Sequence, residues 1–298
     1  MENEEQKTLL AVPARIYEVG SILSFNKALQ EWQKFAEIKE RETTEYKVVF
    51  VGNLLIFVGG WYESTDGGSD EVYCYNLETK EWSDMPRLLD SREGLCVAQL
   101  DDVIYAIGGV SQSYEILKSV ERYNPSIGKW EPVANMQTPR VGAAAVALNG
   151  EIYVIGGSFE DYLNSMECYD PKTNEWQQCA DMAETRKWLS ATVHKGYIYV
   201  LGGMNVEYLD TVERYDPVSD VWTKISSLSV GRKNICTFSL DNTLWSVGGQ
   251  NDDESNVVEL YDEENDKWLE QKALPVGGVY EHLWVPTNLA NQLTDMCS

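Results

Sequence analysis

Four arginines and four glutamates recur at fixed places in this 298-residue sequence, and guanidinium–carboxylate pairing is the first chemistry their spacing suggests. Arg92, Arg140, Arg186 and Arg232 each stand shortly before a short apolar run, while Glu121, Glu167, Glu213 and Glu259 each lie two residues before a tyrosine. Where the pattern lacks the arginine it also lacks the glutamate: one period has Thr43 and Tyr73 in these slots, another has Val276 and Leu23. Residues that come and go together are expected to meet. The predicted pairs are Arg92 with Glu121, Arg140 with Glu167, Arg186 with Glu213 and Arg232 with Glu259. They are read as structural ion pairs, in which losing one partner would strand a charge.

Other reactive groups give less. Cys74 and Cys168 occupy one repeated slot, and Cys96 and Cys236 another. Equivalent slots of a repeat are held apart, so these are expected to be buried free thiols rather than disulfides. His194 and His282 have no ligand-like neighbour at i+3 or i+4, so no metal or other cofactor is expected. No G-x-S-x-G, G-x-G-x-x-G or P-loop occurs. The expectation is a chain that is not an enzyme and has no catalytic residues, with a site in a central channel as the remote alternative.

The elements that carry these groups follow from a repeat. Diglycines fall at Gly59-Gly60, Gly108-Gly109, Gly156-Gly157, Gly202-Gly203 and Gly248-Gly249; tryptophans fall at Trp32, Trp82, Trp130, Trp176, Trp222 and Trp268. Periods of 46 to 50 residues mean a propeller or a solenoid. Within one period, "GAAAVALNG", "EIYVIGG", "SMECYDP" and "NEWQQCADM" read as four short antiparallel strands joined by turns, which is one propeller blade. A tyrosine on the third strand precedes each tryptophan by seven residues (Tyr75, Tyr123, Tyr169, Tyr215 and Tyr261, with Phe25 as the sixth member). These aromatics are expected to fill the wedges between blades and supply most of the core burial. The diglycines would let neighbouring backbone approach where a Cβ would clash.

Diglycine after an apolar strand, then "VERYDP" or "MECYDP", then tryptophan, resembles the kelch repeat. The likeness is to the Kelch-like (BTB-BACK-Kelch) family. It implies an all-β fold, a six-bladed β-propeller with four antiparallel strands per blade, filling residues 1–298 as a single domain. "TLLAV", "SILSFN" and "KALQEW" supply three strands of the first blade, and "VGGVYEHLWV" near the C-terminus is assigned as its missing innermost strand, closing the ring. No BTB or BACK domain is expected in this length. The resemblance implies a protein-interaction module, the substrate-recognition propeller of a cullin-RING ubiquitin ligase adaptor, reaching cullin components through domains outside this sequence. Actin binding or cross-linking is the alternative.

Positions that vary between repeats carry the binding expectation, because a site on a ring is asymmetric. After the diglycine stand Trp61, Val110, Ser158, Met204 or Gln250; two residues after the arginine slot stand Glu45, Gly94, Gly142, Trp188, Asn234 or Gly278. In Kelch-like propellers such positions resemble those that line the substrate face. The predicted partner site is therefore Trp61, Tyr62, Trp188, Ser158, Phe159, Met204, Asn234, Gln250 and Glu45. With 48 acidic against 24 basic side chains the net charge is −24, which argues against nucleic acid or an anionic membrane. The expected partner is a protein or peptide, apolar with some basic character. The N-terminal residues lack a secretory pattern and the cysteines lack C-x-x-C spacing, so a cytoplasmic location is expected.

Overall fold

The structure, a computed structural model, describes residues 7–13, 21–26, 31–38, 43–62, 64, 66–253, 255–274 and 280–286. Among these residues every regular element is a β-strand, and no helix is long and apolar enough to cross a membrane.

Six sheets have four antiparallel strands each. Sheet four is representative: Ala144–Leu148, Glu151–Ile155, Met166–Asp170 and Glu175–Cys179 pair in chain order. Its first hairpin turns on Asn149 and Gly150, at φ 56° and 85°, the left-handed pair that a tight two-residue hairpin needs. Sheets three, five and six repeat this order from leading strands Cys96–Leu100, Ser190–His194 and Cys236–Leu240. Sheet two leads with Lys47–Val51. In sheet one, Lys7–Pro13 is the second strand and pairs with Tyr280–Pro286, in register from Lys7 opposite Pro286 to Pro13 opposite Tyr280. Residues 276–279 of the assigned C-terminal strand lie outside the described residues.

The core lies between successive sheets. Second strands such as Val103–Ile107 and Tyr197–Leu201 are nearly continuous apolar runs because both of their faces are covered. Ile152, Val154 and Tyr169 of sheet four pack on Cys96, Ala98 and Ile107 of sheet three. Leu10, Val12 and Ile22 of sheet one pack on Leu55, Phe57 and Tyr75 of sheet two. Each such aliphatic side chain contributes about 1.5–3 kcal/mol when fully buried.

The aromatic pairs sit directly opposite each other across the third and fourth strands, with ring centroids 5.0 Å apart for Tyr169 and Trp176 and 5.1 Å for Tyr215 and Trp222. They pack between successive sheets as expected, Tyr169 and Trp176 on sheet three and Tyr215 and Trp222 on sheet four, but they do not supply most of the burial. Tyr75, Tyr169, Tyr215 and Tyr261 are buried while Trp82, Trp176, Trp222 and Trp268 remain partly exposed at the outer rim; in sheet three the order is reversed, with Trp130 buried and Tyr123 partly exposed, and aliphatic side chains dominate the interior. The indoles act through their N–H, which must find an acceptor wherever it is covered. Trp176 donates to Ala134 O at 2.7 Å, Trp222 to Ala180 O at 2.9 Å and Trp268 to Ser226 O at 3.0 Å, each in the loop leaving the preceding sheet. The same three loops donate back: the N–H groups of Ala134, Ala180 and Ser226 reach the side chains of Asn174, Asp220 and Asp266, which also accept from Tyr169, Tyr215 and Tyr261. One polar side chain thus staples two sheets at three successive joints.

Candidate functional site

The repeated arginines are wholly buried and each meets a glutamate. Arg140 Nη2 lies 3.0 Å from Glu167, Arg186 Nη2 2.9 Å from Glu213 and Arg92 Nη2 2.9 Å from Glu121; Arg232 pairs with Glu259 in the same way. Each guanidinium also donates to two backbone carbonyls, for Arg140 those of Gly156 and Ser165. Each glutamate accepts from the loop that enters its own sheet: Glu167 takes the N–H groups of Gln137 and Thr138, and Glu213 that of Ala183. The pairs fix where each leading strand begins. Burial pulls the Arg186 and Arg232 guanidiniums below the usual arginine range, although their glutamates oppose this. In sheet two, Thr43 takes the arginine slot, and its hydroxyl donates to Glu71 at 2.9 Å.

Both glycines of each diglycine have positive φ, for instance 60° at Gly108 and 93° at Gly109. A Cβ on Gly108 would lie 2.5 Å from Arg140 O of the next sheet, and one on Gly109 2.7 Å from Glu93 O of its own. Gly109 N–H donates to that same Arg140 carbonyl at 2.8 Å. The diglycine is therefore the joint between sheets, required by conformation and by contact together.

Beyond each diglycine the chain forms a narrow ribbon against the residue that follows the arginine slot. Ser158 bridges Val141 and Tyr162, Met204 bridges Lys187 and Tyr208, and Gln250 bridges Lys233. Trp61 and Tyr62 pair with Thr44 and Thr43 on one side and with Gly68 and Gly67 on the other. Phe159 projects from its ribbon and is 42% exposed. Glu45, Gly94, Gly142, Trp188 and Asn234 all have positive φ, between 49° and 65°. They are linked from sheet to sheet: Gly142 N–H donates to Gly94 O, Trp188 N–H to Gly142 O and Asn234 N–H to Trp188 O, at 2.7–2.9 Å. All nine predicted partner-site residues thus lie at the same end of the strands. Trp61 follows the second strand of sheet two, in a small three-stranded sheet of Thr43–Thr44, Trp61–Tyr62 and Gly67–Gly68, and Trp188 stands just before the leading strand of sheet five.

Trp188 is the unusual member. A bulky side chain in the left-handed region costs about 1–2 kcal/mol, and such strain gathers at binding and switch positions. Its indole lies over Gly142, where a Cβ would come within 2.8 Å of Cδ1. Lys187 Nζ stands 4.1 Å and Lys233 Nζ 4.5 Å from the ring centre, both in cation–π range. Tyr162 and Tyr208 flank the two ammoniums at 5.3 and 5.9 Å. Burial lowers the pKa of Lys187. The opposite charge collects on sheets two and three, where burial, then Glu45 and Asp66, hold the Glu93 carboxyl above the usual range. Sequence reasoning missed Lys187, Lys233 and Glu93. All three directly follow an arginine slot, and that position also differs from repeat to repeat.

At the other end of the strands, His194 is buried between sheets five and six. Its Nδ1 is 2.7 Å from Ser239 Oγ and its Nε2 3.0 Å from Glu263 Oε1, and Glu263 also pairs with Lys195. Burial lowers the His194 pKa, partly offset by Glu263. Among the described residues no group of three or more His, Cys, Asp or Glu could hold a metal ion, and Cys74, Cys96, Cys168, Cys179 and Cys236 are not in disulfides.

The KLHDC2/KLHL20/DRC7 Kelch-repeats domain matches residues 45–249, and the Kelch motif matches residues 231–274. Kelch repeat and BTB domain-containing protein 1 of Cowpox virus (strain Brighton Red) is 32% identical over 139 residues, covering 46% of this chain and 24% of the relative. Kelch-like protein 23 of Homo sapiens is 33% identical over 126 residues, covering 42% and 22%. The chain spans about a quarter of the length of these curated relatives. The solved structure of YjhT matches with a TM-score of 0.74 over 90% of this chain and 98% of that one, at 15% identity.

The likeness to YjhT corrects one expectation, that the chain is not an enzyme. A fold shared this widely serves binding and catalysis alike, and sites are grafted on it without linear motifs. The His194 chain makes the same point, since its three members come from strands and turns far apart in sequence. The exclusion of enzymes does not follow from missing motifs.

Proposed function

The chain belongs to the kelch-repeat family, and from that premise we propose a protein-interaction propeller whose partner docks on the face bearing Trp61 and Trp188. The observation that carries this reading is Trp188: a strained aromatic at a position that varies between sheets, held over Gly142. Aromatic anchors of this kind dominate binding energy at protein interfaces. The partner is a protein or peptide with apolar groups for the two tryptophans and basic character toward Glu45 and Glu93.

Within this proposal the six sheets are the blades of one ring spanning the chain as a single domain. Support comes from Tyr280–Pro286, which pairs with the N-terminal strand Lys7–Pro13 and lies against both Lys47–Val51 and Cys236–Leu240. The wider role proposed is substrate recognition for a cullin-RING ubiquitin ligase adaptor. It draws on relatives whose name pairs kelch repeats with a BTB domain. A cytoplasmic setting goes with that role and with cysteines that are not in disulfides.

The test is an affinity capture with quantitative mass spectrometry, comparing wild type with a Trp61→Ala/Trp188→Ala variant whose fold is checked by circular dichroism. Specific partners, ubiquitin-ligase substrates among them, are expected to disappear from the folded variant. Capture of the same proteins at the same level would move the site elsewhere.

A further inference from the structure

Sheet four carries two thiols on neighbouring strands. Cys168 lies opposite Gln177 and Cys179 opposite Met166, so the two cysteines are diagonal neighbours across the third and fourth strands. Residues two apart on a strand share a face, and a diagonal pair on one face is within side-chain reach. Both cysteines face sheet five, packed in one cluster with its Tyr215 and Trp222. The two sulfurs meet there, Cys168 S–H donating to Cys179 Sγ. Cys168 is buried and Cys179 half-buried on the outermost strand, so solvent reaches the second before the first. In the matching places sheet two has Cys74 with Met85, and sheet five has Arg214 with Ile225. A pairing peculiar to one repeat is not required to build the repeat.

We infer that Cys168 and Cys179 form a site of reversible oxidation by hydroperoxides, in which Cys179 reacts first and Cys168 closes a disulfide. The hydrogen bond from Cys168 holds the Cys179 thiol below its usual range, against the effect of burial. Cys168 keeps the shared proton and is buried, and lies above that range. Thiolate character and exposure together select the sulfur that a peroxide meets. The Cys179 thiolate attacks one peroxide oxygen: an S–O bond forms, the O–O bond breaks and hydroxide leaves, so sulfur is oxidised to the sulfenic acid and peroxide is reduced. Cys168 gives its proton to that hydroxide and attacks the Cys179 sulfur. The S–S bond forms, and the second hydroxide departs with the proton first lost by Cys179. In sum two thiols and one hydrogen peroxide give one disulfide and two waters, and a thiol donor reverses the change by exchange. Cys179 directly precedes Ala180, whose N–H is held by Asp220 and whose carbonyl is held by the Trp222 indole. The cross-link therefore forms beside the joint between sheets four and five, tying the third strand to the fourth at that point.

The probe is hydrogen peroxide, applied briefly to the full chain. Alkylation of the remaining thiols, proteolysis and mass spectrometry without reduction are expected to yield the Cys168–Cys179 disulfide peptide, which dithiothreitol removes. Free Cys179 should disappear at least about tenfold faster than free Cys236, a half-buried thiol of sheet six. In Cys168→Ser the hydroxyl keeps the donor but removes the second sulfur, so Cys179 should stall as a sulfenic acid that dimedone captures. In Cys179→Ser, Cys168 should stay reduced. Thermal melts check that both variants are folded, and the mapping of the wild type depends on neither. Absence of the Cys168–Cys179 peptide, loss of Cys179 no faster than that of Cys236, or oxidation of Cys168 at the wild-type rate in Cys179→Ser overturns the inference.

Discussion

Replacing Arg140 by methionine removes a side chain that is 1% exposed and replaces it with one of similar length and no charge. Four interactions vanish together: hydrogen bonds to Gly156 O at 2.8 Å, Ser165 O at 2.9 Å and Ser165 Oγ at 2.9 Å, and the ion pair with Glu167 at 3.0 Å. Glu167 is left 0% exposed with only the Gln137 and Thr138 N–H groups to hold its charge. Breaking a buried pair in this way costs about 3–5 kcal/mol, and on a large domain that corresponds to a fall in Tm on the order of 10 °C. Urea unfolding followed by circular dichroism measures it, with exposed Lys172→Met as a control expected within about 0.5 kcal/mol of wild type. A sign reversal sharpens the test. Glu167→Gln should destabilise the wild type, where it removes the partner of Arg140, yet stabilise Arg140→Met by about 1–2 kcal/mol, where it removes a stranded charge while leaving an amide carbonyl for the two N–H groups. Arg140→Met indistinguishable from the control, or Glu167→Gln costing the same in both backgrounds, would refute the reasoning.

Three further outcomes are expected. Deleting residues 280–298 removes the leading strand of sheet one and should abolish the cooperative thermal transition; an unchanged Tm would contradict closure of the ring through Tyr280–Pro286. Asp220→Ala takes the acceptor from both Ala180 N–H and Tyr215 O–H, and should cost about 1–3 kcal/mol in urea unfolding, more than Tyr215→Phe, which leaves the Ala180 bond in place. His194 has a folded-state pKa below its ordinary 6.5 because it is buried, so the unfolded chain takes up the proton first. Its contribution to stability is complete above about pH 6.5 and is lost as pH falls through the folded value. The stability difference between wild type and His194→Gln should therefore shrink between pH 7 and pH 5; a difference that is constant or grows would show that His194 is not held neutral.

The repeat was legible because its markers are chemically unusual at fixed spacing. Two adjacent glycines with positive φ cannot be replaced freely, so the joints between sheets are written into the sequence. The Arg/Glu slots were legible through their joint absence from two periods, a signal of contact that needs no coordinates. What those glutamates do was not: the loop N–H groups they accept, such as Gln137 and Thr138, belong to residues with no shared side-chain type. The Asx staples had a signal that went unread, since Asn174, Asp220 and Asp266 each stand two residues before a tryptophan. Lys187 and Lys233 were passed over in favour of the next residue along, and only the placement of both ammoniums on one indole gives them meaning. The Ser239–His194–Glu263 chain has no local signature at all, its partners lying 45 and 69 residues from the histidine. It exists only once sheets five and six are packed together.

Site-specific photocrosslinking in cells tests the docking face most directly. A benzophenone amino acid is placed at Phe159, exposed on the ribbon beside Trp188's end of the strands, or at Val218, exposed in the turn at the opposite end. Both substitutions leave the repeated core untouched. The account predicts discrete protein adducts from position 159 that vanish when Trp61→Ala and Trp188→Ala are added, and none from position 218. Equal adducts from both positions, or adducts from 218 alone, would contradict it.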